Sequence, residues 1–268
     1  MAKPTLLVCI PTIKGRGDFL ANAIEGYRDR TPEADVYVSL VRDRPTAGVG
    51  WQECIEDGLA RAASGICPWP DYIHFSNDDI VVAEGWFPPL REAVDKDNIP
   101  APRMEPAGVH LGEEVARSMA PAIAPPPSNL SYWFAKPPEE QPGLDWEGID
   151  HGALPFCSLQ QWAQIEPFIP IHFGTDQWFY FRAREAGYPV VARMDSVIFN
   201  YAAQVGRDKG EWKELDLIDF DLVFAYPEYQ HGERDPSEPH PLRLTPAGLT
   251  MVRNWRKATF PGPHHWES

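Results

Sequence analysis

Apolar positions along the first hundred residues fall into short blocks whose spacing alternates between two periods. "TLLVCIPTI" is a continuous apolar run that ends at Pro11, the pattern of a strand buried on both faces. Phe19, Leu20, Ala23, Ile24 and Tyr27 then recur at helical spacing, and Asp18 stands where it can cap that helix. "ADVYVSLV" predicts a second strand and "RDRPTAGVG" a turn. Trp51, Cys54, Ile55, Leu59 and Ala62 outline a second amphipathic helix that ends near Gly65. "DYIHFS" is a third strand, and Trp86, Phe87, Leu90 and Val94 mark a third helix. This β-α-β-α-β-α order predicts an α/β fold with a mostly parallel sheet flanked by helices.

The pattern breaks between Asn98 and Pro142. Prolines cluster in "IPAPRMEP", "APPPSNL" and "AKPPEEQPG", so regular structure should be sparse there. Tyr132, Trp133 and Phe134 lie inside this stretch and predict packing against the core. Regular signals return from "GALPFCSL" onward. "TDQWFYFRAREAG", Thr175 to Gly187, predicts a helix stopped by its glycine, and "YPVVARM" and "SVIFNY" are two strand candidates. The tail after Gly232 is rich in Pro, His and charge, which predicts a surface wrap.

Composition narrows the function classes. Acidic residues outnumber basic ones, 39 to 24, and the resulting charge of −15 opposes broad binding to nucleic acid. The same balance makes a divalent cation electrostatically easy to accept. No apolar run approaches the roughly 20 residues that cross a bilayer. "MAKPTLLVCIPTI" lacks the long apolar segment of a signal peptide, so a cytoplasmic location is expected. Cys9, Cys54, Cys67 and Cys157 are scattered without metal-ligand spacing and predict reduced thiols.

The candidate chemistry begins where the third strand ends, at Asn77-Asp78-Asp79. Carboxylates at the C-terminal end of a parallel strand lie where open α/β sheets place ligands. Mg²⁺ or Mn²⁺ suits so sparse an oxygen site, because such ions bind one or two carboxylates and take the rest from a substrate's phosphates. A turn that uses Asx side chains is the plain structural alternative.

"PDYIHFSNDDIVVAEGWF", Pro70 to Phe87, resembles the nucleotide-sugar segment of GT-A glycosyltransferases, and in particular their large family 2-like group. In that family a strand ends in a D-x-D-type motif and a "pGW(F/L)" helix start follows. Ile10-Pro11-Thr12 matches the end of the family's first strand, Arg42-Asp43 the acidic end of its second, and Asp57-Gly58 its Asn-x-Gly. "HFGTDQWFYFRAREAGYPVV" is similar to the family's "fGEDvdlclRareaGy.v" block, with Asp176 at the position of the acceptor-activating acid and Thr175 in place of the usual Glu. The likeness runs from about Thr5 to Tyr201, interrupted by the Pro-rich stretch.

The resemblance implies a GT-A fold and transfer of a sugar from a nucleoside-diphosphate sugar to an acceptor hydroxyl, with inversion. It implies Asp176 as general base and Asp79 and Asp78 as ligands of Mn²⁺ or Mg²⁺. Pro11, Thr12, Arg16, Asp43, Arg44, Asn77, Asp78 and Trp86 would contact the donor. Asn200-Tyr201 stands where the family has a metal-ligating His, so Asn200, His264 or His265 is the candidate third ligand. His151 and His172 are candidates on the acceptor side. The expected organisation is one GT-A domain. Residues 1–97 form its nucleotide-sugar-binding half, 98–145 a Pro-rich insert, 146–231 the acceptor half and 232–268 a tail. The acceptor could be a protein, a glycan or a hydroxylated base in DNA. The rival activities are a nucleotidyltransferase, which also holds Mg²⁺ on strand-end carboxylates, and a non-catalytic nucleotide-sugar- or glycan-binding protein.

Overall fold

The computed structural model describes residues 2–44, 46–106, 154–168, 175–200, 224–225 and 243–244. The Tyr132-Trp133-Phe134 cluster, His151, His172, His264 and His265 lie outside them.

β1 (Thr5–Thr12) is central because its side chains are apolar on both faces, and nearly all of it is buried. β2 (Asp35–Arg42) pairs with it in parallel on one side and β3 (Tyr72–Phe75) in parallel on the other. β6 (Phe156–Ser158) adds to β3 antiparallel, giving the order β2-β1-β3-β6. A second sheet has the order β4-β7-β5, built from β4 (Ile80–Val82), β7 (Val190–Asn200) and β5 (Ile99–Pro106). β8 (Phe224–Ala225) and β9 (Arg243–Leu244) form a short antiparallel ladder. The chain is therefore α/β with mixed sheets flanked by helices. Both sheets combine early and late segments of the chain.

α1 (Gly17–Asp29) follows β1, α2 (Ala47–Ala63) follows β2, and α3 (Phe87–Val94) follows β4. α1 starts one residue before Asp18, which lies in the first turn; Arg16 is at the N-cap and makes no side-chain cap bond. α2 starts earlier than the apolar pattern predicts. Thr46 caps it by accepting from the Val49 amide, and the glycines that suggested a turn are helical. Their role is close packing. A Cβ on Gly50 would lie 2.6 Å from Pro11 Cβ, and one on Gly58 would lie 2.5 Å from Leu7 Cδ2. Only glycine lets α2 lie this near β1.

The Pro-rich stretch contains more order than its composition suggests. β5 tolerates Pro100 and Pro102 because it is an edge strand. The Ile99 amide donates to Pro189 O, so alternate positions, the two prolines, direct their missing N–H toward the open edge. The two strand candidates after Gly187 are one strand, β7, whose pairing to β5 shifts register between Pro102 and Arg103. Sequence spacing also gave no sign of α4 (Leu159–Ile165), which Ser158 and Gln161 begin with a reciprocal capping box. α5 (Thr175–Glu185) ends before Gly187, whose φ of +86° favours glycine.

The core is aromatic. Trp86 packs edge-on against Tyr27, Phe87 and Phe156, His74 packs edge-on or tilted against Tyr27, Trp86 and Phe156, and Phe75 meets Trp162, Phe168 and Phe179. The four cysteines are free thiols, with Cys9, Cys54 and Cys157 buried. Burial pushes the Cys54 thiol up to about 12, so it packs as a small hydrophobe.

Candidate functional site

Asn77-Asp78-Asp79 occupies the segment in which the chain leaves the first sheet and enters the second. β3 ends at Phe75, Asp78 and Asp79 form a turn, and β4 begins at Ile80. The turn lies beside the C-terminal end of β1, because β3 and β1 run parallel with Phe75 opposite Cys9. The Ser76 amide extends that pairing by donating to Cys9 O.

Four predicted residues meet here. The Thr12 hydroxyl donates to Asp78 Oδ2 at 2.6 Å. Arg16 Nη2 lies 3.1 Å from Asp78 Oδ1 and 2.9 Å from Asp79 Oδ2, so one nitrogen faces both carboxylates. The Arg16 guanidinium also rests on the Phe19 ring, 5.4 Å from its centroid. Arg16 Nε and Nη2 are buried, and among the described residues neither has an aligned hydrogen bond, which leaves Arg16 held to the pair by charge. Asp78 is 4% exposed. Burial pushes its carboxyl above the usual range, opposed by Arg16 and the Thr12 hydroxyl, and the neighbouring Asp79 adds to the rise.

Asp43 belongs to the same edge. Its backbone has φ +55°, its amide donates to Thr12 O, and its Oδ1 accepts from the Lys14 amide at 2.8 Å. The carboxylate thereby ties the loop after β2 to the loop after β1. Pro11 supports this edge from below, against Gly50. Asn77 is half-buried between Ser76 and the turn.

Two predicted donor residues have other partners. Trp86 is fully buried, and its Nε1 donates to Thr31 Oγ1 at 3.0 Å. With its ring enclosed by Tyr27, His74, Phe87 and Phe156 and its one polar atom satisfied, it is a core residue and no floor for a sugar. Arg44, beside Gly50, is exposed and pairs with Glu53 of α2.

Asp176 lies in the first turn of α5, half-buried, where the helix dipole favours an ionised acid. One turn further on, Phe179 packs against Phe75, the last residue of β3, at 6.0 Å between centroids. That contact anchors α5 beside the strand that leads into Asp78. Burial, and then the charge of Asp176, push the Tyr180 phenol up. The β4–β7 ladder sets Asn200 opposite Ile80, next in sequence to Asp79.

Among the described residues, no three His, Cys, Asp or Glu side chains converge as a metal cluster. The turn nonetheless offers oxygen donors from two carboxylates. That set fits a hard cation that draws its remaining ligands from phosphate oxygens.

Sequence reasoning missed Gln52. It is 4% exposed, and its Oε1 accepts from the Phe168 amide at 3.0 Å, joining α2 to the segment that precedes α5. A polar residue beside Trp51 on the apolar face of α2 was the available signal. No protein-family model and no curated protein matches the chain. No helix among the described residues is long and apolar enough to cross a membrane.

Proposed function

We propose that the chain is a GT-A-type glycosyltransferase that moves a sugar from a nucleoside-diphosphate sugar to an acceptor hydroxyl. The observation that carries this reading is the carboxylate turn Asp78-Asp79 at the ends of parallel strands, with Arg16 against both acids. As the glycosidic bond of the donor breaks, negative charge accumulates on the departing diphosphate. Catalysis needs positive charge fixed where that charge develops. Arg16 is one such charge. Mn²⁺ or Mg²⁺, held by Asp79 and Asp78, would supply Lewis-acid stabilisation of the leaving group.

The chain's own residues do the rest. Asp43 and Lys14 shape the loops that flank the donor, and Thr12 orients Asp78 by hydrogen bonding. Asp176, in the first turn of α5, takes the proton from the acceptor hydroxyl. Attack from the face opposite the diphosphate inverts the anomeric centre.

Asp176→Asn separates an enzyme from a binding module. Transfer from a panel of nucleoside-diphosphate sugars should fall at least about 100-fold, the range for loss of a general base, with donor affinity unchanged. A protein that binds donors with no transfer to lose would instead be the binding module.

A further inference from the structure

Arg16 stands where a cation would have to be. Its Nη2 is 2.9 Å from Asp79 and 3.1 Å from Asp78, and its side chain is 14% exposed. A divalent ion cannot bind the same two carboxylates with a guanidinium between them, since like charges repel strongly at such range in a partly dry site. Removing Arg16 without a substitute would leave Asp78, 4% exposed, as a buried uncompensated charge. The two cations therefore exclude each other, yet the site always needs one of them.

The way Arg16 is held suits replacement. A strong arginine–carboxylate contact is a planar fork with two parallel N–H···O bonds. Here a single nitrogen faces two different acids, and the two donors Nε and Nη2 have no aligned acceptor among the described residues. Arg16 sits on the loop after β1, next to Gly15 with φ +91°, and its guanidinium lies over the Phe19 ring. An incoming diphosphate would offer those donors oxygens in the fork geometry they lack.

We propose that Arg16 is the resident counter-ion of Asp78 and Asp79, that it competes with the divalent cation, and that it moves onto the donor's diphosphate when the cation binds. Metal affinity is then low without nucleotide and rises with it, and by linkage the metal raises nucleotide affinity by the same factor. This inference rests on the glycosyltransferase reading for its ligand, and its first test needs no donor.

Binding of Mn²⁺ alone to the full chain, followed by the electron paramagnetic resonance of free Mn²⁺, is the direct experiment. Arg16→Met should bind Mn²⁺ at least tenfold more tightly than the wild type, and Asp79→Asn in that background should abolish the gain. Arg16→Lys, which keeps the charge, should stay near the wild type. Phe19→Ala, which removes only the support under the guanidinium, should tighten Mn²⁺ a few-fold, and it carries the test if Arg16→Met fails to fold. Adding UDP or GDP should tighten Mn²⁺ in the wild type and far less in Arg16→Met. Unchanged or weaker Mn²⁺ binding in the Arg16 and Phe19 variants overturns the competition, as does a gain that survives Asp79→Asn. Failure of these arms with sugar transfer intact sinks the competition alone. Success without transfer from any donor keeps the competition and sinks the glycosyltransferase.

Discussion

His74 and Asp78 are four residues apart around the end of β3, and both are buried, at 0% and 4% exposure. The fold treats them in opposite ways. His74 lies among Tyr27, Trp86 and Phe156, and its Nδ1–H donates to Pro155 O at 3.0 Å. Its Nε2 is buried with no hydrogen-bond partner among the described residues, and burial pushes the ring down to about 3. It is neutral, and its apolar surroundings keep it so. Asp78 is surrounded by a hydroxyl, a guanidinium and a second carboxylate, although burial raises its carboxyl too. A core silences a titratable group by starving it of partners. A site gathers partners around a charge it has to keep, and the two arrangements meet within one turn of chain.

The largest effect should come from the silent side. Trp86→Ala removes the ring that encloses His74 and should cost about 3–5 kcal/mol in chemical denaturation. Donor affinity should be unchanged in whatever fraction remains folded. A variant that folds normally but loses donor binding would return Trp86 to the site.

Arg16→Ala tests the other side. It leaves Asp78 without its counter-ion and should cost about 3 kcal/mol near neutral pH, as when one partner of a buried pair is removed. In the Asp78→Asn background the same change should cost about 1 kcal/mol or less. The gap between the two is the coupling energy of a double-mutant cycle. Equal costs in both backgrounds would mean that Arg16 does not compensate Asp78.

The two groups should also oppose each other in pH. The folded state keeps His74 neutral down to about 3, while the unfolded chain protonates near the ordinary value of 6.5. Stability contributed by His74 is thus complete above about 6.5. It declines as pH falls toward 3, by up to about 1.4 kcal/mol per unit. His74→Leu should flatten that decline between about pH 6 and 4. Asp78 has a raised carboxyl, so its contribution is present at low pH and is lost as pH rises through its folded value. The smallest effect belongs to Arg44→Ala. Its pair with Glu53 is exposed, and stability should move by no more than about 0.5 kcal/mol.

Much of this frame was legible in the sequence. The alternation of continuous and helical apolar spacing marked β1 to β3 and α1 to α3, because each element buries one face or both against its neighbours. β5 was not legible, since prolines signal irregular chain unless one knows that the strand lies at an edge. β4 and β6 are three residues each, too short to show a period. At the site, Thr12, Arg16, Asp78 and Asp79 were all named from sequence. Their contacts were not, because they depend on the 66-residue separation that β1–β3 pairing closes between Thr12 and Asp78. Trp86 failed for a related reason: a tryptophan at a helix start has the same sequence signature whether it faces a ligand or the core. Only the Thr31 hydroxyl and the surrounding rings distinguish the two.

In the proposed reading, the Asp78-Asp79 turn receives a nucleoside-diphosphate donor. Thermal shift of the wild type and Asp79→Asn against a panel of nucleoside-diphosphate sugars, with and without Mn²⁺, tests it most directly. At least one donor should stabilise the wild type, more so with Mn²⁺, and Asp79→Asn should lose that stabilisation. A wild type that no donor stabilises, or an Asp79→Asn protein stabilised to the same extent, would contradict it.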